Sequence, residues 1–211
     1  MAAKQSESVK KRSHGIAARD RILDAAGEIA SERGYEVTSI SLVSKRSGLP
    51  ASYIYWHFKD KDDLLSAVIE RSFNAWLQAL IDFGAAAEDA TTEEFVAHQA
   101  LQSSQGLAAA PDFLRLGLML GLERRPEEPT ARKVFLNVRS QAFQNAVKSF
   151  KERLPDLDKK SLEKLASFTI ALADGFFISQ QVADKTIDLM KHHELQAAAI
   201  MGVINYLRSA R

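Results

Sequence analysis

The chain has 211 residues, 46% of them hydrophobic, no cysteine and a formal net charge of +1. Its apolar content suffices for one sizeable core or two smaller ones and excludes a disordered chain, while the lack of cysteine excludes disulfides, thiol catalysis and cysteine-based zinc sites. No apolar run approaches the roughly 18 to 20 residues of a membrane span and no signal-peptide pattern opens the sequence, so we expect a cytoplasmic protein without a membrane partner.

The first 59 residues are the basic part of the chain. They carry ten cationic and six acidic side chains, a net charge of +4, which leaves −3 for residues 60–211. Residues 1–15 are polar and show no hydrophobic periodicity, which predicts a disordered arm. Its Lys10-Lys11-Arg12 run can follow the phosphates of DNA or enter a minor groove, and the alternative is a free tail.

Residues 16–33 show the spacing of an amphipathic helix. The apolar residues that recur at helical spacing are Ile22, Ala25, Ala26, Ile29 and Ala30. Gly34 follows where a glycine commonly ends a helix. A helix that begins here would place Arg19 near its N-terminus, where it can hold a phosphate oxygen, and the alternative is a solvated side chain.

Two short helical patterns lie on either side of Gly48-Leu49-Pro50. Glycine can take a positive φ and proline fits the first turn of a new helix, so this stretch predicts a helix-turn-helix. Thr38 is the expected N-cap of the first helix, and the second starts near Pro50 or Ala51 with Ile54 and Phe58 facing inward. Its outward face suits a DNA major groove, and the residues on that face are Ala51, Ser52, Tyr53, Trp56 and His57.

These residues resemble the DNA-binding signature of the tetracycline-repressor (TetR-like) family over roughly residues 19–70. The resemblance rests on Arg21-Ile22-Leu23-Asp24-Ala25-Ala26, Gly34-Tyr35, Thr38-Ser39, Val43, Lys45-Arg46, Ser47-Gly48-Leu49, Ile54-Tyr55-Trp56-His57-Phe58, Lys61 and Leu64-Leu65. The sequence departs from the family pattern at Leu42, Ser44, Ser47 and Tyr53. The resemblance implies a regulator that binds double-stranded DNA at a palindromic operator as a homodimer and responds to a small-molecule effector. Because Ala51 and Tyr53 lie where bases are read, it leaves the operator sequence open.

The donors of Tyr55, His57 and Lys61 suit phosphate oxygens, so we interpret these residues as positioning the protein rather than reading bases. The resemblance supports this interpretation for all three. The alternatives are that Tyr55 packs under the first helix and that Trp56 covers the three-helix core. The full set of predicted DNA contacts is Arg19, Thr38, Ser39, Ser41, Lys45, Ala51, Ser52, Tyr53, Tyr55, Trp56, His57 and Lys61.

From Lys61 onward the pattern stays helical. A helix over 61–83 would span roughly 35 Å at about 1.5 Å per residue, which indicates that it joins the two halves of the protein. Thr91 and Glu94 have the spacing of a capping box that opens a helix to about residue 110. Pro111 opens another helix, apolar nearly all round and so expected to be deeply buried, which Pro126 and Pro129 then break.

Further helices are predicted over about 130–154, 159–183 and 192–209. The sequence therefore predicts an all-α fold of about nine helices. Its predicted parts are a basic disordered arm (1–15), a helix-turn-helix DNA-binding domain (16–60) and a helical domain for effector binding and dimerisation (61–211).

The last two long helices carry more apolar surface than one bundle face needs. We interpret this surface as a two-fold four-helix dimer interface, which the family resemblance favours, and the alternative is an interior role within one subunit. The predicted interface residues are Leu165, Thr169, Leu172, Phe176, Leu195, Ala199, Gly202 and Tyr206.

The family resemblance also implies an effector cavity among the middle helices. A few polar groups among aromatic ones give an apolar pocket its specificity, and Arg139 could face an anionic group. The alternatives are that His98 and nearby glutamines form a solvated face and that Arg139 pairs with a surface carboxylate. The predicted ligand contacts are Trp76, Phe83, Phe95, His98, Gln102, Met119, Arg139, Phe143 and Phe176.

The predicted function is that of a ligand-released repressor. The effector would favour a conformer in which the helix over 61–83 moves the recognition helices out of register with the operator. A hydrolase or metalloenzyme is disfavoured because no His-Glu-x-x-His spacing occurs and cysteine is absent, so we assign no catalytic residue, metal or cofactor. A helical small-molecule carrier or scaffold without DNA binding is the other alternative, and it predicts a damaged recognition helix.

Overall fold

The computed structural model describes residues 2–109, 111–122, 129–182 and 188–210. Every regular element in these ranges is an α-helix, as the sequence predicts. The helices are α1 (Ala2–Val37), α2 (Ile40–Ser47), α3 (Ala51–His57), α4 (Lys61–Phe83), α5 (Thr92–Ala109), α6 (Pro111–Leu122), α7 (Thr130–Arg153), α8 (Lys159–Val182) and α9 (Leu189–Ser209). None of these helices has both the length and the apolar content for crossing a bilayer. Pro126 and the predicted helix end at residue 183 lie outside the described residues.

The chain divides into two compact units. Unit 1 consists of residues 1–72 and 115–136, and unit 2 consists of residues 73–114 and 137–211. Unit 1 therefore extends beyond the 16–60 range that the sequence indicates for the DNA-binding domain, because the first turns of α4 bury their apolar side chains in it. The buried residues of those turns are Leu64, Leu65, Val68 and Ile69.

The prediction of a disordered arm over residues 1–15 is wrong for the backbone, because α1 begins at Ala2. Residues 2–14 contain no glycine or proline, and eight of these thirteen residues are alanine, lysine, arginine, glutamine or glutamate, which are strong helix formers. The side chains of Lys10-Lys11-Arg12 lie outside the described part of the structure, so DNA contact by this run stays a prediction.

A hydrogen-bonded cluster connects the start of α4 to two other parts of unit 1. The Asp62 carboxylate accepts hydrogen bonds from the Tyr35 hydroxyl at 3.0 Å and from the backbone N–H of Ala131 at 3.1 Å, and it also accepts one from the N–H of Thr130. Burial opposes ionisation of Asp62, but these N–H and hydroxyl donors together lower its pKa below the ordinary value. Asp62 therefore caps the N-terminus of α7.

The core of unit 2 joins α5, α7, α8 and α9. Its largest buried side chains come from all four helices and include Phe95, Phe150, Leu154, Leu165, Ile200 and Ile204. The predicted capping box at the start of α5 is present: the Glu94 carboxylate accepts from the Thr91 N–H at 2.8 Å, and the Glu94 N–H donates to the Thr91 hydroxyl at 3.2 Å.

Candidate nucleic-acid interface and ligand cavity

The turn between α2 and α3 has the backbone that its sequence predicts. Gly48 adopts the left-handed conformation (φ 68°, ψ 20°), and its N–H donates to the Ser44 carbonyl at 3.0 Å. The Ser44 hydroxyl donates to the Leu49 carbonyl at 2.7 Å. The Arg21 guanidinium of α1 donates to the Ser47 carbonyl at 2.6 Å, so α1 holds the turn in place.

The inner face of α3 is the predicted one. Ile54 is fully buried, and Phe58, which follows the helix, is 2% exposed. α3 begins at Ala51, directly after Pro50, as the sequence predicts. Because Ile54 and Phe58 fix the rotation of α3 about its axis, the exposed residues Ser52, Tyr53, Tyr55 and Trp56 are directed away from the core.

The outer face of α3 is aromatic and open to solvent. Tyr55 is 58% exposed and Trp56 is 72% exposed, so Tyr55 does not pack under α1 and Trp56 does not cover the core. Tyr53 and Ser52 are also exposed, and the Tyr53 and Trp56 ring centroids are 5.8 Å apart. Ala51 is half-buried at the start of this face. An exposed helical face of this kind is what entry into a major groove requires.

His57 lies at the edge of that face and is half-buried. Its Nε2 atom is buried and has no hydrogen-bond partner among the described residues, while its ring packs against Trp56 with centroids 4.8 Å apart. Burial, and after it the nearby charge of Arg19, lower the pKa of His57 below the ordinary value. The neutral imidazole is therefore favoured, so His57 adds little positive charge to this surface.

Thr38, which we predict as an N-cap and a DNA contact, has neither role. It is 1% exposed, and its hydroxyl donates to the Gly34 carbonyl at 2.8 Å. The N-cap of α2 is Ser39, whose hydroxyl accepts from the Leu42 N–H at 3.3 Å. Serine and threonine can both cap a helix. Thr38 stays buried in unit 1 because its hydroxyl has a partner there, the carbonyl of Gly34, a residue with φ 85°. Ser39 is half-buried, and DNA contact by it stays a prediction.

The predicted placement of Arg19 at a helix N-terminus is wrong because α1 begins at Ala2. The Arg19 guanidinium lies 5.3 Å from the centre of the Phe58 ring. The Lys61 ammonium donates to the Tyr35 carbonyl at 3.3 Å and lies 4.4 Å from the centre of the Tyr35 ring. Both cations therefore have contacts within unit 1, and their contact with phosphate stays a prediction.

The surface of α2 carries two exposed predicted contacts, Ser41 and Lys45. The neighbouring Arg46 is engaged by α1, because its guanidinium pairs with Glu28 and with Glu32, each at 3.0 Å. These two carboxylates offset the Arg46 charge. Lys45 is therefore the α2 cation better suited to attract DNA.

Unit 2 contains a cavity of about 280 Å³. Its walls come from α4, α5, α6, α7, α8 and α9. The lining residues are Trp76, Leu80, Val96, Gln99, Gln102, Ser103, Leu107, Leu114, Arg139, Ala142, Asn145, Ala146, Ser149, Phe150, Thr169, Ile170, Ala173, Asp174 and Ile200. Apolar walls with a few polar groups are typical of small-molecule sites.

Three of the predicted ligand contacts line this cavity: Trp76, Gln102 and Arg139. The Gln102 amide donates to the Leu80 carbonyl at 2.6 Å and to the Gly84 carbonyl at 3.0 Å, which attaches α5 to the end of α4. The Trp76 indole packs against Gly106 of α5, where an added Cβ would lie only 2.8 Å from the indole ring. Gly106 therefore permits the indole to approach the α5 backbone.

The other six predicted ligand contacts lie elsewhere. Phe95 is buried in the unit 2 core, and Phe143 packs against that core. The Phe83 and His98 rings contact each other, with centroids 4.8 Å apart, and burial lowers the pKa of His98. Phe176 contacts the His192 ring, and Met119 belongs to unit 1, where it is 40% exposed. Helical spacing predicts that these residues share a face, but it cannot tell a core face from a cavity face.

A bidentate ion pair lies in the cavity wall. The Arg139 guanidinium donates to both carboxylate oxygens of Asp174, at 2.8 and 2.6 Å, and the two side chains are 27% and 18% exposed. The carboxylate that Arg139 contacts is thus one from α8 inside the cavity, not one on the open surface. Asp174 is not among the predicted ligand contacts, although an acidic residue within the apolar part of α8 was an available signal.

The predicted dimer surface is divided by the structure. Leu165 is fully buried in the core of its own subunit, so its assignment to an interface is wrong. Thr169 lines the cavity and donates its hydroxyl to the Leu165 carbonyl. Leu195 and Tyr206 are 62% and 67% exposed, and Gly202 is exposed as well. The remaining predicted interface residues are half-buried: Leu172, Phe176 and Ala199.

Within the described ranges, no group of three or more histidine, aspartate or glutamate side chains is placed to hold a metal ion. The candidate sites are therefore an exposed helix face in unit 1 and an apolar cavity in unit 2.

Comparison with known proteins identifies what the first of these sites resembles. Residues 22–68 match the family described as bacterial regulatory proteins, tetR family. A curated relative, the HTH-type transcriptional regulator AcrR of Shigella flexneri, is 44% identical over 54 residues, which is 26% of this chain. The chain spans about a quarter (25%) of the length of that relative.

Solved structures extend the likeness in fold to most of the chain. The fatty acid degradation regulator FadR of Bacillus halodurans covers 86% of this chain, over 93% of its own, with a TM-score of 0.69 and 18% identity. SmeT, the repressor of a Stenotrophomonas maltophilia multidrug efflux pump, was solved as a complex with triclosan; it covers 88% of this chain, over 90% of its own, with a TM-score of 0.63 and 22% identity. At these identities the likeness shows the fold alone.

Proposed function

We propose that this chain, which belongs through residues 22–68 to the tetR family of bacterial regulatory proteins, is a cytoplasmic transcriptional regulator that inserts α3 into the major groove of double-stranded DNA. The observation that carries the proposal is the exposed outer face of α3, with Trp56 72% exposed, next to the turn at Gly48. A carrier without DNA binding has no need of this regular, exposed helix.

The contacts expected with DNA divide into two kinds. Ser52, Tyr53 and Trp56 offer a hydroxyl, a phenol and a large apolar surface to base edges, including the thymine methyl group. Tyr55 and Lys45 are exposed beside that face and carry donors for phosphate oxygens, which position the protein without reading sequence.

The functional unit we propose is a homodimer formed through α8 and α9. This proposal is supported by exposed apolar side chains on both helices, among them Ile178 and Val182 on α8 and Leu195 and Tyr206 on α9. A two-fold dimer presents two α3 helices, and a spacing of about 34–36 Å between them matches successive major grooves of a palindromic operator. Sedimentation that gives a monomer at micromolar concentration would argue against the dimer.

We further propose that a small molecule in the unit 2 cavity releases the protein from DNA. SmeT, which has a similar fold, was solved as a complex with the small molecule triclosan. α4 supplies Leu64 and Leu65 to the core of unit 1 and Trp76 and Leu80 to the cavity wall. A ligand that favours a different position of α4 can therefore change the position of α3, which directly precedes α4 in the chain. The coupling is reciprocal: operator DNA must weaken effector binding by the same factor by which the effector weakens operator binding.

The central experiment is a DNA titration at several salt concentrations. The DNA should be a duplex that the protein itself selects from a random-sequence library, and a scrambled duplex of the same composition is the control. Specific binding should exceed binding to the scrambled duplex, and the logarithm of the affinity should fall linearly with the logarithm of the salt concentration. Equal affinity for the two duplexes at every salt concentration would refute sequence-specific regulation.

A further inference from the structure

We propose that the unit 2 cavity selects uncharged ligands, because the Arg139–Asp174 ion pair leaves neither of the two charges in its wall available to a charged ligand. The inference rests on the proposed function in one respect, namely that the cavity is the ligand site. It does not depend on DNA binding.

The charged groups in the cavity wall balance each other. Among the described residues that line the cavity, Arg139 and Asp174 are the only two with a formal charge, and their charges are opposite. Each of the two terminal nitrogens of Arg139 donates to a different oxygen of Asp174, at 2.8 and 2.6 Å. Planar bidentate pairs of this kind are the stronger form of ion pair, and here the pair makes the wall electrically neutral.

A charged ligand must displace one member of this ion pair to bind the other. A carboxylate that binds Arg139 takes the place of Asp174, whose side chain is 18% exposed and would lose its partner there. An ammonium that binds Asp174 leaves the guanidinium of Arg139 without its carboxylate in the same way. Separating a half-buried pair costs more than separating one in water, because the remaining charge is poorly solvated.

An uncharged ligand gains apolar contacts and neutral hydrogen-bond partners in this cavity. Trp76, Leu80, Leu114, Phe150 and Ile170 offer apolar wall area, and burial of a ligand's apolar surface against them is favourable without disturbing the ion pair. Neutral amide and hydroxyl groups complete the lining, and they can bind a hydroxyl or carbonyl of the ligand: Gln99, Ser103, Asn145 and Ser149. The fitting class is a mainly apolar molecule with one or two neutral polar groups.

The experiment compares three probes of eight carbons each: octanol, octanoate and octylammonium at pH 7. Binding is followed by calorimetry and by the fluorescence of Trp76, which lines the cavity. Trp56 is the other of the two tryptophans, so the full-length chain carrying Trp56→Phe reports the cavity alone. This chain should bind octanol about tenfold or more tightly than either ion.

Two single variants should redirect the selectivity in opposite directions. Asp174→Asn removes the carboxylate that occupies Arg139, so octanoate should gain about tenfold and bind better than octylammonium. Arg139→Gln leaves Asp174 without its cation, so octylammonium should gain instead. The matched control is the double variant Arg139→Gln with Asp174→Asn, which has a neutral wall and should again prefer octanol.

Each outcome decides for or against the inference. A chain with the intact pair that binds octanoate or octylammonium more tightly than octanol overturns it, and so does an unchanged order of the probes in both single variants. If circular dichroism shows that the single variants do not fold, the order of the probes in the intact chain still decides it: octanol first supports the inference, and either ion first overturns it.

Failure of the inference is distinguishable from failure of the proposed function. If none of the probes binds, the cavity is not a ligand site and the charge selectivity falls with it, while the DNA titration above still tests regulation. If octanol binds in the expected order without changing operator affinity, ligand release is refuted and the charge selectivity stands.

Discussion

Ile54 and Trp56 allow the stability of α3 to be separated from its proposed function. Ile54 is fully buried, so Ile54→Ala should lower the free energy of unfolding by about 2–5 kcal/mol, through lost apolar burial and a new void. A fully enclosed tryptophan buries about 150–250 Å². Trp56 is 72% exposed, and the remaining 28% corresponds to roughly 40–70 Å², or at most about 1–2 kcal/mol at about 25 cal/mol per Å².

The assay has two readouts on the same preparations. Urea unfolding should give Trp56→Ala a midpoint close to that of the unchanged chain and Ile54→Ala a clearly lower one. Fluorescence anisotropy on the selected duplex, at a fixed salt concentration, should show an affinity about tenfold lower for Trp56→Ala, the size expected from one lost base contact. Leu122→Ala is the matched control, because Leu122 is 78% exposed, on α6, and should change neither readout.

Two results would refute this reasoning. If Trp56→Ala destabilises the protein as much as Ile54→Ala does, the outer face of α3 is packed against the molecule rather than open. If Trp56→Ala instead leaves the affinity for the selected duplex unchanged, α3 does not place Trp56 against DNA, and the recognition surface must be sought elsewhere.

Three further predictions concern residues that support this surface. Thr38→Val keeps the shape of a 1%-exposed side chain but leaves the Gly34 carbonyl without its donor, so the free energy of unfolding should fall by about 1–3 kcal/mol in urea. Asp62→Ala should cost about 1–2 kcal/mol at pH 7. The folded-state pKa of Asp62 is lowered, so its contribution is fully present above the ordinary value of 3.8 and is lost as the pH falls below it; the difference from the unchanged chain in pH-dependent unfolding should shrink there. Gly48→Ala places a Cβ on a residue with φ 68°, so it should lower the free energy of unfolding by about 1–2 kcal/mol and lower the melting temperature with it. The control is Gly15→Ala in helix α1: the added Cβ meets nothing within 4 Å, and the melting temperature should rise.

Features governed by neighbours in the chain could be predicted from the sequence. The turn at Gly48, the start of α3 after Pro50 and the capping box at Thr91 each depend on the conformational preferences of a few adjacent residues. The inward direction of Ile54 and Phe58 follows from helical geometry in the same local way. The helix-turn-helix was predictable because its rules act over a few residues.

Features that depend on a distant partner could not be predicted in this way. Thr38 and Ser39 are equally good caps on local grounds, and the Gly34 carbonyl decides between them. Phe95 shares a helix with the cavity residue Gln102, but it faces the core of unit 2, and helical periodicity gives the two faces the same pattern. Asp174 became significant only when the fold placed it against Arg139.

The close approach of Trp76 to Gly106 has a consequence for how substitutions can change the ligand preference of this protein. Gly106 does not line the cavity, yet the indole that does so rests directly on it. Any larger residue at position 106 must move the indole away from the α5 backbone. Because the indole forms part of the cavity wall, the cavity volume available to a ligand then changes. A substitution at position 106, which does not contact the ligand, can therefore alter the size of ligand that the cavity accepts. The ion pair that selects the ligand's charge is left unchanged.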